Sequence, residues 1–396
     1  MRSLSRRDFL HTTTALTATA LLRPRLIQAA ENDLIVRTPD PFNAEPRLIA
    51  LVADQITPVK HFYVRSHGAV PTVDAKDFKL TIDGMVDKPL TLTLDDLKKF
   101  PEVSTEATLT CAGSRRQELS AIKPVAGVQW DAGAIGNAKW TGVSLAEVLK
   151  QAGVKATAKH VWFEGLDPIK EKDGSVAPFG GSIPLGSSKL IVAKDGKVTE
   201  AMASQQALLA YSMNDQALTP EHGFPLRSIV PGYIGARSVK WLTKITLSDR
   251  PSPNHYLADA YKVIQSDSKE EAAAAEPIYG FPINAAICAP AAGATVKAGR
   301  TLVSGYALAS GEKPGHISKV ELSSDGGKSW TMARLLGTPA LHCWQHWTAD
   351  LELSAGKHEL VVRATDSKGN AMPERGDWNF KGYLYNGWHR VAVEAA

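Results

Sequence analysis

Leu109-Thr110-Cys111-Ala112-Gly113-Ser114-Arg115-Arg116-Gln117-Glu118 sets a lone cysteine among small residues and follows it at once with two arginines. A thiolate is a nucleophile or a soft-metal ligand only once its proton is gone, and neighbouring cations favour that charged form. Such a cysteine reads in two ways. It is either a buried thiol that packs as a small hydrophobe, or a metal ligand in a loop that also faces an anion. The glycine and the arginine pair favour the second reading. The rest of the chain must supply the partners.

On either side of this loop, strand-like and helix-like stretches alternate. Phe78 to Gly84 alternates apolar and polar residues and ends in a turn, as a half-buried strand does. Thr93 to Phe100 opens on a capping residue, spaces its apolar side chains helically and is stopped by Pro101. Ser144 to Gly153 is a second helix, with Ser144 and Glu147 as a capping box and Gly153 as its stop. Gln205 to Tyr211 is a third helical stretch, and Lys240 to Leu247 is a strand. This is an α+β pattern rather than a regular βαβ alternation.

Lys269 to Pro277 is polar, Ala-rich and closed by proline, so it reads as a short helix or a linker. Beyond it the pattern is all β. Thr301–Ala307, Ile317–Ser323 and His358–Ala364 are short strands, and Ser324 to Lys328 is a hairpin turn with glycines where positive φ is required. With Trp330, Trp344 and Trp347 to fill a core, the segment predicts an immunoglobulin-like β-sandwich of about 120 residues. The expected organisation is a leader over 1–30, a mixed α/β catalytic domain over 31–270 and a sandwich over 271–396.

The leader carries Ser5-Arg6-Arg7-Asp8-Phe9-Leu10 before a modest apolar run and small residues at Ala29 and Ala30. A twin-arginine pair in that setting reads as a Tat export signal, which places the protein in the periplasm. The run is shorter than the ~20 apolar residues that span a bilayer. Tat cargo crosses folded, so the leader itself points to a cofactor inserted before export. Residues 1–30 hold five arginines and one aspartate; without them basic and acidic residues balance, although the whole chain is formally +4. No net charge argues for nucleic acid or a membrane surface. Three cysteines exclude a disulfide-dense scaffold, and Cys288 and Cys343 could pair only if geometry allows. There is no Cys-x-x-Cys-His for haem, no dinucleotide fingerprint and no phosphate loop.

Several anion-binding candidates remain. Tyr63-Val64-Arg65-Ser66-His67 puts arginine and histidine on one face if extended. Trp130 precedes a turn at Asp131 to Ala134. His222-Gly223-Phe224-Pro225-Leu226-Arg227 leads on to Gly235-Ala236-Arg237-Ser238-Val239-Lys240. Singly each is weak: a lone histidine is usually hydrogen-bonded structure, a lone arginine an ion-pair partner.

Together, in this order, these segments resemble the molybdenum-containing sulfite oxidase family. Phe163-Glu164-Gly165-Leu166-Asp167, Gly181 to Leu185, Leu209 to Asn214 and the C-terminal Asp377-Trp378-Asn379-Phe380-Lys381-Gly382 and Asn386 to Val391 extend the resemblance over nearly the whole chain after the leader. The resemblance implies a sulfite-oxidase-type molybdopterin domain followed by a β-sandwich dimerisation domain. It implies a molybdenum–pyranopterin held by Tyr63, Val64, Arg65, Ser66, His67, Asp167, His222, Arg227, Ser238, Val239 and Lys240, with Cys111 as the protein's metal ligand. Arg65, Arg116, Trp130 and Tyr261 match positions that wall the oxyanion pocket. Lys381 stands where vertebrate members carry arginine, which keeps the charge and loses the bidentate fork.

The implied activity is oxidation of sulfite to sulfate by oxygen-atom transfer. Electrons would leave singly to a separate periplasmic c-type cytochrome, because this chain carries no haem module. The implied assembly is a homodimer. Three other readings stand beside it: a sulfane dehydrogenase of a thiosulfate-oxidising complex, a molybdenum-dependent sulfoxide reductase, and a non-enzymatic anion-binding protein.

Overall fold

A computed structural model describes residues 34–170, 174–185, 207–311 and 315–396. The leader at 1–30 and Gln205 and Gln206 of the third helical stretch lie outside them. Among the described residues no helix is long and apolar enough to cross a membrane.

Two sheets, one antiparallel and one mixed, position the first half of the chain. In one, the order is Gln216–Ala217, Leu208–Met213, Ile135–Ser144, Glu102–Thr110, with Arg227–Ile229 also paired to Leu208–Met213. Glu102–Thr110 is exposed over its first residues and buried over its last four, so it runs from the surface into the core. It is antiparallel to Ile135–Ser144 and in register as far as Thr110 opposite Ile135. Cys111 therefore leaves the sheet at its buried end, with its N–H donating to the Ala134 carbonyl at 2.9 Å.

The second sheet runs Leu90–Leu92, Leu80–Gly84, Lys244–Ser248, His160–Lys170, Val176–Pro184. Its Leu80–Gly84 and Lys244–Ser248 strands are parallel. His160–Lys170 alternates with period two, so Val161, Phe163, Asp167 and Ile169 all face inward. Phe163, Ile169, Leu80, Ile82, Ile245 and Leu247 belong to one apolar cluster, and Asp167 is the charged residue on that same face.

The helix expected from Thr93 is the single turn Leu94–Leu97, closed by a full Thr93/Asp96 capping box. Leu145–Ala152 forms as expected and stops at Gly153, whose φ of 70° is left-handed. Ser144 makes no side-chain cap bond there, so the expected capping box is absent. The third helical stretch is instead the strand Leu208–Met213: a short apolar run carries no decisive period, and pairing with Ile135–Ser144 settles it. The strand expected from Lys240 begins only at Lys244, because Trp241 takes a left-handed φ of 50° and breaks extended pairing. Lys269–Ala274 is a short helix capped by Ser268.

The last part of the chain is a β-sandwich. One sheet runs Asn284–Ala289, Gly299–Leu308, Gln345–Leu353, Arg334–Leu336; the other runs Thr295–Val296, His389–Ala395, Gly356–Asp366, Ile317–Ser323, Thr331–Met332. Val303, Val320, Trp347, Leu360 and Val391 fill the space between them. Only one of the three tryptophans expected there is in that core. Trp344 packs on Tyr306 in the cluster that continues into the first half, and Trp330 lies edge-on to Trp388, half-buried. The turn after Ser323 uses Gly326 and Gly327 at φ of 75° and 99°. Cys288 and Cys343 are separate free thiols.

Candidate active site

The ends of these two sheets converge on a cleft of about 660 Å³. The first sheet sends Leu109, Cys111 and Ala112 to its wall, and its side strand adds Arg227. The second sheet contributes Asp167 and Phe179. The extended segment Phe62 to His67, the turn at Glu221 and His222, the Gly235 to Trp241 loop and Tyr261 complete it.

Arg65 is aimed by Asn43, whose Oδ1 accepts both the Arg65 guanidinium at 3.1 Å and the Ser66 N–H at 2.9 Å. Arg65 also donates to the Ser66 carbonyl. Asn43 is held in turn by donating to Thr38 Oγ and the Pro41 carbonyl, each at 2.8 Å. Nothing in the sequence marked Asn43, because its role depends on a contact across 22 residues.

Arg227 is buried and donates to the carbonyls of His222 at 2.9 Å and Ser238 at 3.0 Å. Its guanidinium lies over the Trp140 ring at 5.0 Å. Lys240 donates to Ser66 Oγ and the Glu221 carbonyl, both at 2.9 Å, and sits over Trp241. Burial draws its pKa down to about 7, with Arg227 pushing the same way and Asp167 opposing. Burial also holds His222 down at about 3, helped by Arg227 and Lys240, and holds His67 far below the usual histidine range. Both imidazoles are therefore neutral, and the positive charge of the cleft comes from Arg65, Arg227 and Lys240. Asp167 is the facing carboxylate, its pKa raised by burial against the pull of Lys240.

Two polar atoms of this wall, Asp167 Oδ1 and Arg227 Nε, are buried with no hydrogen-bond partner. An unpaired buried donor or acceptor costs about 1–3 kcal/mol, so each points to a polar ligand that completes it. Two arginines, and a lysine that a bound anion would hold protonated, against few carboxylates make that ligand anionic. Among the described residues no group of three His, Cys, Asp or Glu side chains could hold a metal ion. A metal at Cys111 must take its other ligands from a bound group.

Tyr63, Arg65, Ser66, His67, Cys111, Asp167, His222, Arg227, Ser238, Lys240 and Tyr261 all line the cleft. Val64 and Val239 do not. Val64 spends both backbone groups on Ala44, and Val239 spends both on Ser228. Arg116 and Trp130, expected in the oxyanion wall, lie behind the Cys111 loop. Arg116 donates to the carbonyls of Gly382 at 3.0 Å, Val128 at 2.9 Å and Lys381 at 3.4 Å, and stacks over Tyr383. Gly113 leaves room for this placement, since a Cβ there would meet the guanidinium at 2.5 Å and push it aside. Trp130 is fully buried in the cluster around Phe62 and Tyr63. Lys381 turns its ammonium to the Asp259 carbonyl and is absent from the cleft wall. Arg115 makes a bidentate pair with Glu118 at 2.6 and 2.7 Å and reaches Asn284 of the sandwich at 2.7 Å. Glu221, Phe179 and Trp241 line the cleft without having been singled out for it.

Lys240 gives the cofactor-free protein a pH dependence. Its folded pKa is near 7, below the ordinary lysine value of 10.5, so the unfolded chain binds more protons between those values. Stability should therefore rise with pH across that interval, with the cost fully present below pH 7. An anion in the cleft stabilises the ammonium and should flatten the slope. Thermal melts of cofactor-free and loaded protein from pH 6.5 to 9.5 check this, and equal slopes would contradict it.

Residues 67–256 match the oxidoreductase molybdopterin binding domain, and residues 275–396 match the Mo-co oxidoreductase dimerisation domain. With the cationic cleft and its single cysteine, these matches define a molybdenum-cofactor oxidoreductase. The chain is 40% identical over 89% of its length to the mitochondrial sulfite oxidase of Drosophila melanogaster, and spans 62% of that protein. It is 36% identical to the sulfite oxidase of Arabidopsis thaliana, covering 91% of this chain and 93% of that one. Its fold is similar to the sulfane dehydrogenase SoxCD from Paracoccus pantotrophus, with a TM-score of 0.74 and 26% identity over 91% of this chain and 88% of that one. The chain belongs to the sulfite oxidase family and binds a molybdenum–molybdopterin cofactor. The residues fit that group: the cations and the two unpaired polar atoms suit its phosphate and pterin, and Cys111 offers a soft thiolate.

Proposed function

We propose that this protein is a sulfite dehydrogenase that oxidises sulfite to sulfate and passes electrons singly to an external c-type cytochrome. The observation that carries the reading is the concurrence of Arg65, Tyr261 and Cys111 on one cationic cleft wall. When bound, the molybdenum centre supplies two-electron oxygen-atom transfer, and the net reaction takes up one water and releases two protons and two electrons.

The protein's part is electrostatic and positional. Arg65, preset by Asn43, offers a fixed guanidinium to a doubly charged oxyanion, which costs no reorganisation at the moment of reaction. Tyr261 holds its hydroxyl 3.0 Å from His67 Nε2, and burial keeps His67 neutral. The pair therefore orients the anion through hydrogen bonds and adds no charge. Phe179 and Tyr256, which also touch each other, pack on His67 and fix its ring.

Export by the twin-arginine route, a periplasmic site of action and a homodimer built on the sandwich belong to the same reading. Replacing Arg6 and Arg7 by lysine should retain the protein in the cytoplasm, and unchanged periplasmic recovery on fractionation would remove the export proposal. The function is tested by sulfite-dependent ferricyanide reduction on protein of known molybdenum content. Rapid turnover at micromolar sulfite supports it. Molybdenum-loaded protein that ignores sulfite overturns it and puts sulfane or sulfoxide chemistry first, while molybdenum-free protein that binds anions would make it a binding protein.

A further inference from the structure

We propose that Arg237, which does not reach the cleft, is a positioning residue that fixes the Tyr261–His67 pair and through it the grip on the substrate oxyanion. The proposal rests on the oxyanion reading of the cleft given above.

Arg237 ends the short 3-10 turn Gly235–Arg237, and its neighbours Ala236 and Ser238 line the cleft while its own side chain points the other way. It is 1% exposed. Its Nε and Nη2 donate to the Ile278 carbonyl at 2.9 and 2.7 Å, and its Nη1 donates to the Tyr256 carbonyl at 3.2 Å. Ile278 in turn donates its N–H to the Tyr261 carbonyl at 2.9 Å. The guanidinium also lies 5.7 Å from the Tyr261 ring centre and 5.5 Å from that of Tyr279.

These contacts close around one short element. Tyr256–Ala260 is a π-helical turn, and Tyr261 caps it. Such turns do not satisfy their own ends in the ordinary helical way, and they recur at functional sites. Arg237 holds the first carbonyl of this turn directly and its capping residue through Ile278. The two rings so held, Tyr256 and Tyr261, both bear on His67, beside Phe179 stacked at 4.7 Å: Tyr256 packs on it at 4.3 Å and Tyr261 hydrogen-bonds it at 3.0 Å. One buried cation thus sets two of the three rings around the imidazole, including the one that hydrogen-bonds it.

Among the described residues no carboxylate forms an ion pair with Arg237 to explain its charge. The groups that favour it are Tyr279, Tyr261, Tyr383 and Tyr233, and burial draws its pKa down to about 10. An apolar residue of similar volume in place of a buried charge is often neutral or stabilising. A guanidinium kept here at a desolvation cost is accounted for by what it positions.

The test is a double-mutant cycle on the molybdenum-loaded enzyme, with R237M and R237K each made alone and with Y261F. Read-outs are KM and kcat per molybdenum for sulfite, the calorimetric affinity for inorganic sulfate, and the melting temperature. The expected result is a KM rise and a sulfate weakening of roughly 10- to 100-fold for R237M, the scale of an ångström-sized misplacement. R237K should recover part of both. In the Y261F background R237M should add less than about a third of its logarithmic effect, because its target hydroxyl is gone. An equal effect in both backgrounds overturns the proposal, as does R237M that melts early or loses molybdenum with sulfate affinity unchanged. Where R237M gives no folded protein, R237K carries the same cycle. If the wild type does not oxidise sulfite yet the sulfate affinities follow this pattern, the proposed reaction fails and the positioning role stands.

Discussion

Cys111→Ser is expected to abolish sulfite oxidation while leaving the fold intact. The two side chains are nearly isosteric, and the backbone at 111 is fixed independently of the side chain. The Cys111 N–H donates to Ala134 at 2.9 Å, and its carbonyl accepts the Ser114 N–H at 3.0 Å. Leu384 ties the next residue by donating to the Ala112 carbonyl at 2.8 Å. What changes is the donor atom, from a soft thiolate to a hard hydroxyl that keeps its proton at neutral pH. Loss of outer partners of a metal site alone costs roughly 10- to 100-fold, so loss of the protein's metal ligand should exceed that. The measurement is kcat per bound molybdenum beside the melting temperature. Turnover within tenfold of wild type at equal molybdenum content would remove Cys111 from the metal site.

How much of this was legible in the sequence depends on the range of the interaction. Strands such as Leu80–Gly84 and Ile317–Ser323 announce themselves, because alternation and a turn residue are local. The apolar run at Leu208–Met213 does not, since a stretch buried on both faces has no period to read. Cys111, Arg65, His222, Arg227 and Lys240 were legible as candidates because each stands in a short stretch of distinctive composition. Their convergence was not, for it depends on Thr110 ending opposite Ile135 and on Asp167 sharing the inward phase of His160–Lys170. Adjacency also misled. Arg115 and Arg116 stand four and five residues after Cys111, yet with a left-handed φ of 64° at Arg115 and a helix starting at Arg116 their guanidinia reach Asn284 and the Gly382 carbonyl, away from the cleft. Composition gave the right charge for the loop and the wrong direction.

That difference separates two arginines which the sequence alone treats as equals. Arg65→Met should raise KM for sulfite with little loss of stability. Its guanidinium lines the cleft and its protein partners are Asn43 Oδ1 and the Ser66 carbonyl, so removing it leaves a bound anion without its fixed counter-charge. Truncating one side of a buried charge contact costs about 2–5 kcal/mol, which corresponds to roughly 30-fold or more in kcat/KM. Arg65→Lys should recover only part, because a point charge cannot reproduce the planar fork that Asn43 presets. Arg116→Met should do the opposite. It strands the buried Gly382 carbonyl, at about 1–3 kcal/mol, removes the bond to the half-buried Val128 carbonyl, and loosens the C-terminal segment that clasps the Cys111 loop. Its signature is therefore a lower melting temperature with KM per loaded site nearly unchanged. Kinetics and melts on the three variants decide between these assignments. An Arg116→Met enzyme with wild-type stability and a KM raised as far as that of Arg65→Met would show that the Arg116 side chain swings into the cleft when the anion binds, and the carbonyl contacts described here would then be its resting position.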